Sequence, residues 1–380
     1  MGRLPHARRP LGAPPRRDPA RDLLNAPFEG PLDVLVVGAG QAGLATGYWL
    51  RRLAPHLRVA IVDAAPELGE AWRRRWESLR LFTPRAFSAL PGLPFPAGST
   101  PCPDRLEMAA YLQNYAAHFQ LPVHTGVRVQ DVTPGFAVTT SAGRLTARHV
   151  VVATGPFHDP VIPAAAGDLD PSVPQQHSYA YRGPADIPTD EVTIGGGGNS
   201  AAQITLELTA SHRVTLVAPR EPWFVLAQVL GLSSYRWMSW LGILDADIER
   251  RVVRHVRRRG DPIFGRELRR PLRRGELVLR TSRVVGAAGR TLTLADGSTV
   301  PAPAVVWCTG FHARYDWLRV PGSLDAGGNP VHHRGASLVT GLHWMGLPWQ
   351  TRLNSSIIDG VDRDARAVAD RVGRAVLTQT

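Results

Sequence analysis

The sequence contains no lysine: all 44 of its basic side chains are arginine. A bias that complete reflects the base composition of a GC-rich genome, since no binding function would reject every lysine. The formal net charge of +12 is therefore weak evidence for nucleic acid, whose recognition needs basic residues clustered on one face. Cysteine is nearly as scarce. Cys102 and Cys308 lie far apart and form no Cys-x-x-Cys pair. That excludes a disulfide framework, a cysteine zinc site and a paired-cysteine redox centre, and it points to a cytoplasmic protein. No apolar run is long enough to read as a membrane span. Residues 1–30 carry Arg8, Arg9, Arg16 and Arg17 among Pro5, Pro10, Pro14 and Pro15. This stretch has no apolar segment of the kind a secretory signal needs, and it reads as a disordered arm. His332-His333 has no partner at metal-ligand spacing, so no metal site is expected.

What is present is globular. The chain has 380 residues, 44% of them hydrophobic and 20% charged, which is enough for two separate cores. Asp33-Val-Leu-Val-Val37 reads as a buried strand and runs into Gly38-Ala39-Gly40-Gln41-Ala42-Gly43. A helical pattern follows, then the strand Val59–Val62, which ends in Asp63, 20 residues after Gly43. Each part has a physical reason. Gly38 makes the tight turn, Gly40 lets a pyrophosphate approach the backbone, and Gly43 lets helix and strand pack closely. The helix N-terminus then faces the phosphates, and Asp63 accepts hydrogen bonds from a ribose diol.

The pattern recurs. Val192-Thr193-Ile194 leads into a glycine run whose best register uses Gly196, Gly198 and Ala201, with Asn199 and Ser200 opening a helix. The next strand, Val214–Val217, ends in Ala218 where the first unit has an acid, and Arg220 follows two residues on. An acid at that position repels a 2′-phosphate, whereas a small residue followed by arginine accepts one. The first site therefore reads as FAD and the second as NADPH. Arg220 is alternatively an ordinary surface arginine, with Arg213 as the next candidate. Two further apolar strands end alike, one in Ala153-Thr154-Gly155 and the other in Cys308-Thr309-Gly310. They mark the places where the chain crosses between the two units, close to the cofactors.

With both glycine motifs and both Thr-Gly strands, the chain resembles the flavin-containing monooxygenase superfamily. More narrowly, it resembles bacterial flavoproteins associated with cation transport. The likeness also rests on Trp76–Pro84, His177–Tyr181 and Gly341–Gln350. It implies an α/β fold of two Rossmann-like dinucleotide domains. It also implies NADPH-dependent oxygenation of a small nucleophilic or carbonyl substrate by O2 through a C4a-(hydro)peroxyflavin. Trp72 and Val129 join the implied cofactor contacts, and Thr83, Asn199 and His177 form the candidate catalytic set. His177 reads equally as a hydrogen-bonded linker histidine.

The chain departs from the superfamily's pattern at four places. Pro171 and Val173 stand where its fingerprint has Phe and Gly, although His177 and Tyr181 match. Glu70 replaces the second of two glycines before Trp72, which would charge the flavin edge. Cys308 stands for Ala, and Thr83 for an Asn. Two alternatives therefore stay open: a flavin oxidoreductase that inserts no oxygen, and a redox-sensing flavoprotein linked to cation transport.

The expected organisation is a FAD domain at 31–155 and 303–380, with an NADPH domain at 160–300 inserted between them. The NADPH domain carries a helical insert at 221–275. The insert holds Trp223, Phe224, Trp237 and Trp240, then an arginine-rich stretch. A lid over the substrate is the preferred reading, ahead of a membrane-surface element.

Overall fold

The computed structural model describes residues 31–260, 262–264 and 267–377. The expected disordered arm lies outside the described residues. The fold is α/β and is built twice on one plan. In the first unit, β1 (Leu32–Val37) is buried along its whole length, as suits a central parallel strand. It runs into α1 (Gln41–Leu53), β2 (Val59–Val62), α2 (Arg105–His118) and β3 (Val123–His124). The start of α2 is held by a reciprocal cap, in which Asp104 accepts from Glu107 N and Glu107 accepts from Asp104 N. A meander follows through β4 (Val129–Thr133), β5 (Ala137–Thr140) and β6 (Gly143–Val152). β6 serves two layers: its first residues pair antiparallel with β5, and Ala147–Val152 pair parallel with β1.

The second unit repeats the scheme with β7 (Gln175–His177), β8 (Glu191–Gly195), α3 (Asn199–Leu208) and β9 (Arg213–Ala218). Its insert carries α4 (Ser234–Trp240), α5 (Arg251–Arg259) and α6 (Arg269–Arg274). The chain then forms β10 (Leu277–Thr281), the meander β11 (Val284–Ala288), β12 (Thr291–Leu294) and β13 (Thr299–Pro301), and β14 (Val305–Trp307). It ends with β15 (Leu342–Trp344) and α7 (Val361–Leu377) back in the first unit. The parallel part of the first sheet has the order β15-β6-β1-β2-β3, and the second sheet has the order β10-β9-β8-β14-β7.

One boundary is corrected. The return to the first unit expected at 303 comes too early, because β14 pairs with β8 and β7 inside the second sheet. The return comes just after Gly310, where Phe311–His312 pairs antiparallel with Asp159–Pro160 in a two-stranded ribbon. No helix among the described residues is long and apolar enough to cross a membrane.

Candidate active site

The first glycine loop is shaped by close approach. Gly38 has φ +102°, and a Cβ there would lie 2.6 Å from the Ala153 carbonyl oxygen. A Cβ on Gly43 would run into the Gly38 carbonyl, so strand, loop and helix touch through backbone alone. Gly40 differs: nothing lies within 4 Å of its Cβ position, and α1 begins there without a side-chain cap. Orphan N–H groups facing open space at a helix N-terminus fit a pyrophosphate. Asp63 accepts from Ala39 N at 2.7 Å and from Ala65 N at 2.8 Å. It therefore braces the loop, and these two bonds leave part of its hydrogen-bonding capacity unused. Val129 opens β4 beside it, in a segment tied down by Val127 N donating to Asp63 O at 2.9 Å. Gln41 reaches Ser356 O at 3.4 Å, and a Cβ on Gly346 would lie 2.7 Å from the Ala42 Cβ.

The second loop repeats this construction. Gly196, at φ +143°, abuts the Cys308 carbonyl as Gly38 abuts Ala153. Gly198 opens α3 uncapped, with nothing within 4 Å of its Cβ position. Ala201 is buried where the third glycine of the motif would sit, and Ser200 lies in the first helical turn. Asn199 Nδ2 donates to Pro262 O at 3.1 Å, which ties the loop to the insert. Ala218 is fully buried at the strand end. Arg220 donates to Arg258 O at 3.2 Å and to Arg259 O at 3.1 Å. It thus caps the negative end of α5. Arg213 is removed as a phosphate candidate. It sits at the opposite, N-terminal end of β9 and pairs with Glu191 at 2.5 Å.

Between the two loops lie the crossing strands. Gly155 and Gly310 both have positive φ, +71° and +85°, with open space beyond them. Thr154 Oγ1 is buried with no hydrogen-bond partner among the described residues, whereas Thr309 Oγ1 donates to Val161 O beside the ribbon. Burial pushes the Cys308 thiol up to about 12, which disfavours the thiolate. His177 ends β7, and its Nδ1 accepts from Tyr179 N at 3.1 Å. This places the proton on Nε2, which is buried with no hydrogen bond of good geometry among the described residues. Its ring stands edge-on to Phe311 at 5.0 Å. Burial holds its pKa below the usual range, with the Gly310 backbone opposing and Arg75 adding to the effect, which favours the neutral imidazole. Tyr181 is buried against α3 and donates to Glu207 at 2.9 Å.

Thr83 is buried and shares a hydrogen bond with Ser88 Oγ at 2.8 Å. Trp72 stands in the single turn Glu70–Arg73, entered through left-handed Gly69. The Glu70 carboxylate, expected at the flavin edge, is held by Arg74 at 2.7 Å. Above this region sits the insert. Tyr235 is buried near Phe87 and Phe82, with ring centroids 5.4 and 6.4 Å away, and its hydroxyl lies near the Asp359 carboxylate. Asn354 Nδ2 donates to Asp359 Oδ2 at 2.9 Å, and burial raises the Asp359 pKa to about 6. Among the described residues, Thr83, Asn199 and His177 make no hydrogen bond to one another; each is engaged with its own neighbours.

Residues 35–233 match the family described as pyridine nucleotide-disulphide oxidoreductase. The chain belongs to that family. It is 40% identical over 337 residues to an uncharacterized oxidoreductase, CzcO-like, of Geobacillus kaustophilus, covering 88% of this chain and 96% of that protein. It is 35% identical over 344 residues to the uncharacterized oxidoreductase CzcO of Bacillus subtilis, covering 90% and 99%. A solved flavin-containing monooxygenase from Stenotrophomonas maltophilia is 29% identical, with TM-score 0.76 over 92% of this chain and all of that one. These likenesses place this pyridine-nucleotide oxidoreductase in the flavin monooxygenase superfamily.

The family's name mentions a disulphide, but here both cysteines are free. The sequence reading missed Gly346 and Ser356 at the first loop, and Tyr235, Asn354 and Asp359 under the insert. Gly346 lies in the Gly341–Gln350 segment that carried part of the resemblance. Asp359 gave no signal, because an acid before an amphipathic helix reads as a helix cap.

Proposed function

We propose that the chain is a FAD- and NADPH-dependent flavoprotein monooxygenase acting on a small nucleophilic or carbonyl substrate. One observation carries this reading: the same glycine cradle is built twice, and the two copies differ where dinucleotides differ. The first ends in Asp63, which suits a free ribose diol. The second ends in buried Ala218 with Arg220 beyond it. Bound FAD, reduced by NADPH, supplies the oxygen-activating chemistry. The chain's own residues bind and exclude water. Gly40 and Gly198 present uncapped helix ends to the two pyrophosphates. Tyr235, Phe82 and Phe87 form an aromatic cluster in the segment that holds Thr83, and apolar side chains of this kind keep water from a reactive centre. Neutral His177 offers Nε2–H near the ribbon between the cradles.

A second reading has its own support. The Thr83 hydroxyl is shared with Ser88 rather than free to steady an oxygen adduct, which favours a reductase that passes electrons on without inserting oxygen. The test is direct. Purified protein is expected to be yellow, to release FAD on denaturation, and to be reduced faster by NADPH than by NADH. Turnover under isotopically labelled oxygen then separates the readings. Label in an organic product supports oxygenation. Quantitative hydrogen peroxide with every nucleophile and ketone tried supports the reductase.

A further inference from the structure

We propose that the insert docks on an anionic lipid bilayer through a protruding tip made of Leu230, Trp240 and Leu241. Leu230 sits in the left-handed region at φ +51°, followed by Gly231 at φ +75°, in the turn of the hairpin Gln228–Ser233. Asn or Gly is the usual occupant of such a turn, since a branched apolar side chain is strained there. Leu230 is nonetheless 87% exposed, so the fold gains neither burial nor relaxed backbone from it. Trp240 and Leu241, at the end of α4, are 62% and 68% exposed. Trp237 joins the two pieces, donating to Val229 O at 2.9 Å and standing edge-on to Trp240 at 5.3 Å. The opposite side of α4 faces inward, with Ser234 and Tyr235 buried. The hairpin and helix end therefore form one apolar patch turned away from the body of the protein.

The charge around the patch identifies the occupant. Residues 221–275 hold twelve arginines against six acidic residues. Two of those acids face the first unit: Asp245 pairs with Arg363 at 3.3 Å and Asp247 with Arg334 at 2.7 Å. Arg236, one turn before Trp240, is exposed, as are Arg251, Arg254, Arg257 and Arg258 on α5. An aliphatic and indole tip on a basic element matches the boundary of an anionic bilayer. There the apolar side chains enter the acyl region, indole rings sit at headgroup depth, and guanidinium groups meet phosphates. Nucleic acid would use the arginines but not Leu230 or Leu241.

The experiment is co-sedimentation of the flavin-loaded protein with vesicles of pure phosphatidylglycerol or pure phosphatidylcholine at low salt. Tryptophan emission and its quenching by brominated lipid are read alongside. Sedimentation with phosphatidylglycerol, a blue shift, quenching, and loss of binding at high salt are expected. Leu230→Asn, and separately the pair Trp240→Ser and Leu241→Ser, should each lower partitioning by about tenfold or more, since both remove apolar area that would enter the bilayer. Leu230→Asn should keep the melting temperature and flavin reduction by NADPH, so that misfolding does not imitate the loss. Three results would overturn the proposal: no binding to phosphatidylglycerol, variants that bind like the parent, or a dimer in light scattering that Leu230→Asn dissolves. Vesicle binding is read without turnover, so it stands or falls apart from the oxygenation reading.

Discussion

Gly40 and Gly43 belong to the same motif but are glycine for different reasons. A side chain at Gly40 would enter the open space above α1, whereas one at Gly43 would strike the Gly38 carbonyl. Gly40→Ala should therefore cost the apoprotein less than about 1 kcal/mol, the scale of an N-cap change, while FAD retention falls at least about tenfold. Gly43→Ala should cost about 1–3 kcal/mol through overpacking. Urea melts of apoprotein and flavin absorbance after gel filtration separate the two. Asp359 supplies a pH test. Its folded pKa is raised to about 6 by burial, so the folded state holds its proton more tightly than the unfolded chain does. Its contribution is fully present below the unfolded value, near pH 4, and is lost as pH rises through about 6. Asp359→Asn should therefore be more stable than the parent at pH 8, by about 1–3 kcal/mol. The gap should narrow toward pH 4, as thermal melts at both pH values would show.

At the scale of elements, α1 and α3 were legible because a glycine loop followed by a 3.6-residue apolar pattern leaves little choice. β7 and β14 were harder to place. Each is three residues long, too short to show a period, and only pairing revealed that β14 belongs to the second sheet. Arg220 shows how one residue serves two elements. It follows β9, where a 2′-phosphate would lie, and it also closes the end of α5 through two carbonyls. Arg220→Ala should raise the KM for NADPH by about tenfold to a hundredfold, the worth of a charge-assisted contact, with little change for NADH. Equal rises for both nucleotides, with a lower melting temperature, would reduce Arg220 to a helix cap.

At the scale of the molecule, the chain's two crossings pair with each other in the ribbon of Asp159–Pro160 and Phe311–His312, and the insert leans back on the first unit. Asp247 bridges to Arg352 through the backbone, and Arg334 pairs with Asp247 at 2.7 Å. Cofactor binding should strengthen this assembly. FAD at a hundred times its Kd should add about 2.7 kcal/mol to the stability of the first unit. That gain is visible as a higher melting temperature when FAD is returned to the apoprotein, and it should fall to about 1.4 kcal/mol or less in Gly40→Ala at the same FAD concentration.

From sequence alone came the two dinucleotide folds, the contrast between Asp63 and Ala218, and the Thr-Gly crossings. All of these depend on local backbone geometry, which a few adjacent glycines dictate. Tertiary structure alone decided which polar groups are already engaged. Thr83 is bound to Ser88, Asn199 to Pro262, and Glu70 to Arg74. It also brought Tyr235 and Asp359 together from positions 124 residues apart in the chain. A side chain's type says which hydrogen bonds it can make, but only packing sets which partner lies within reach, because a hydrogen bond demands about 3 Å and the right angle.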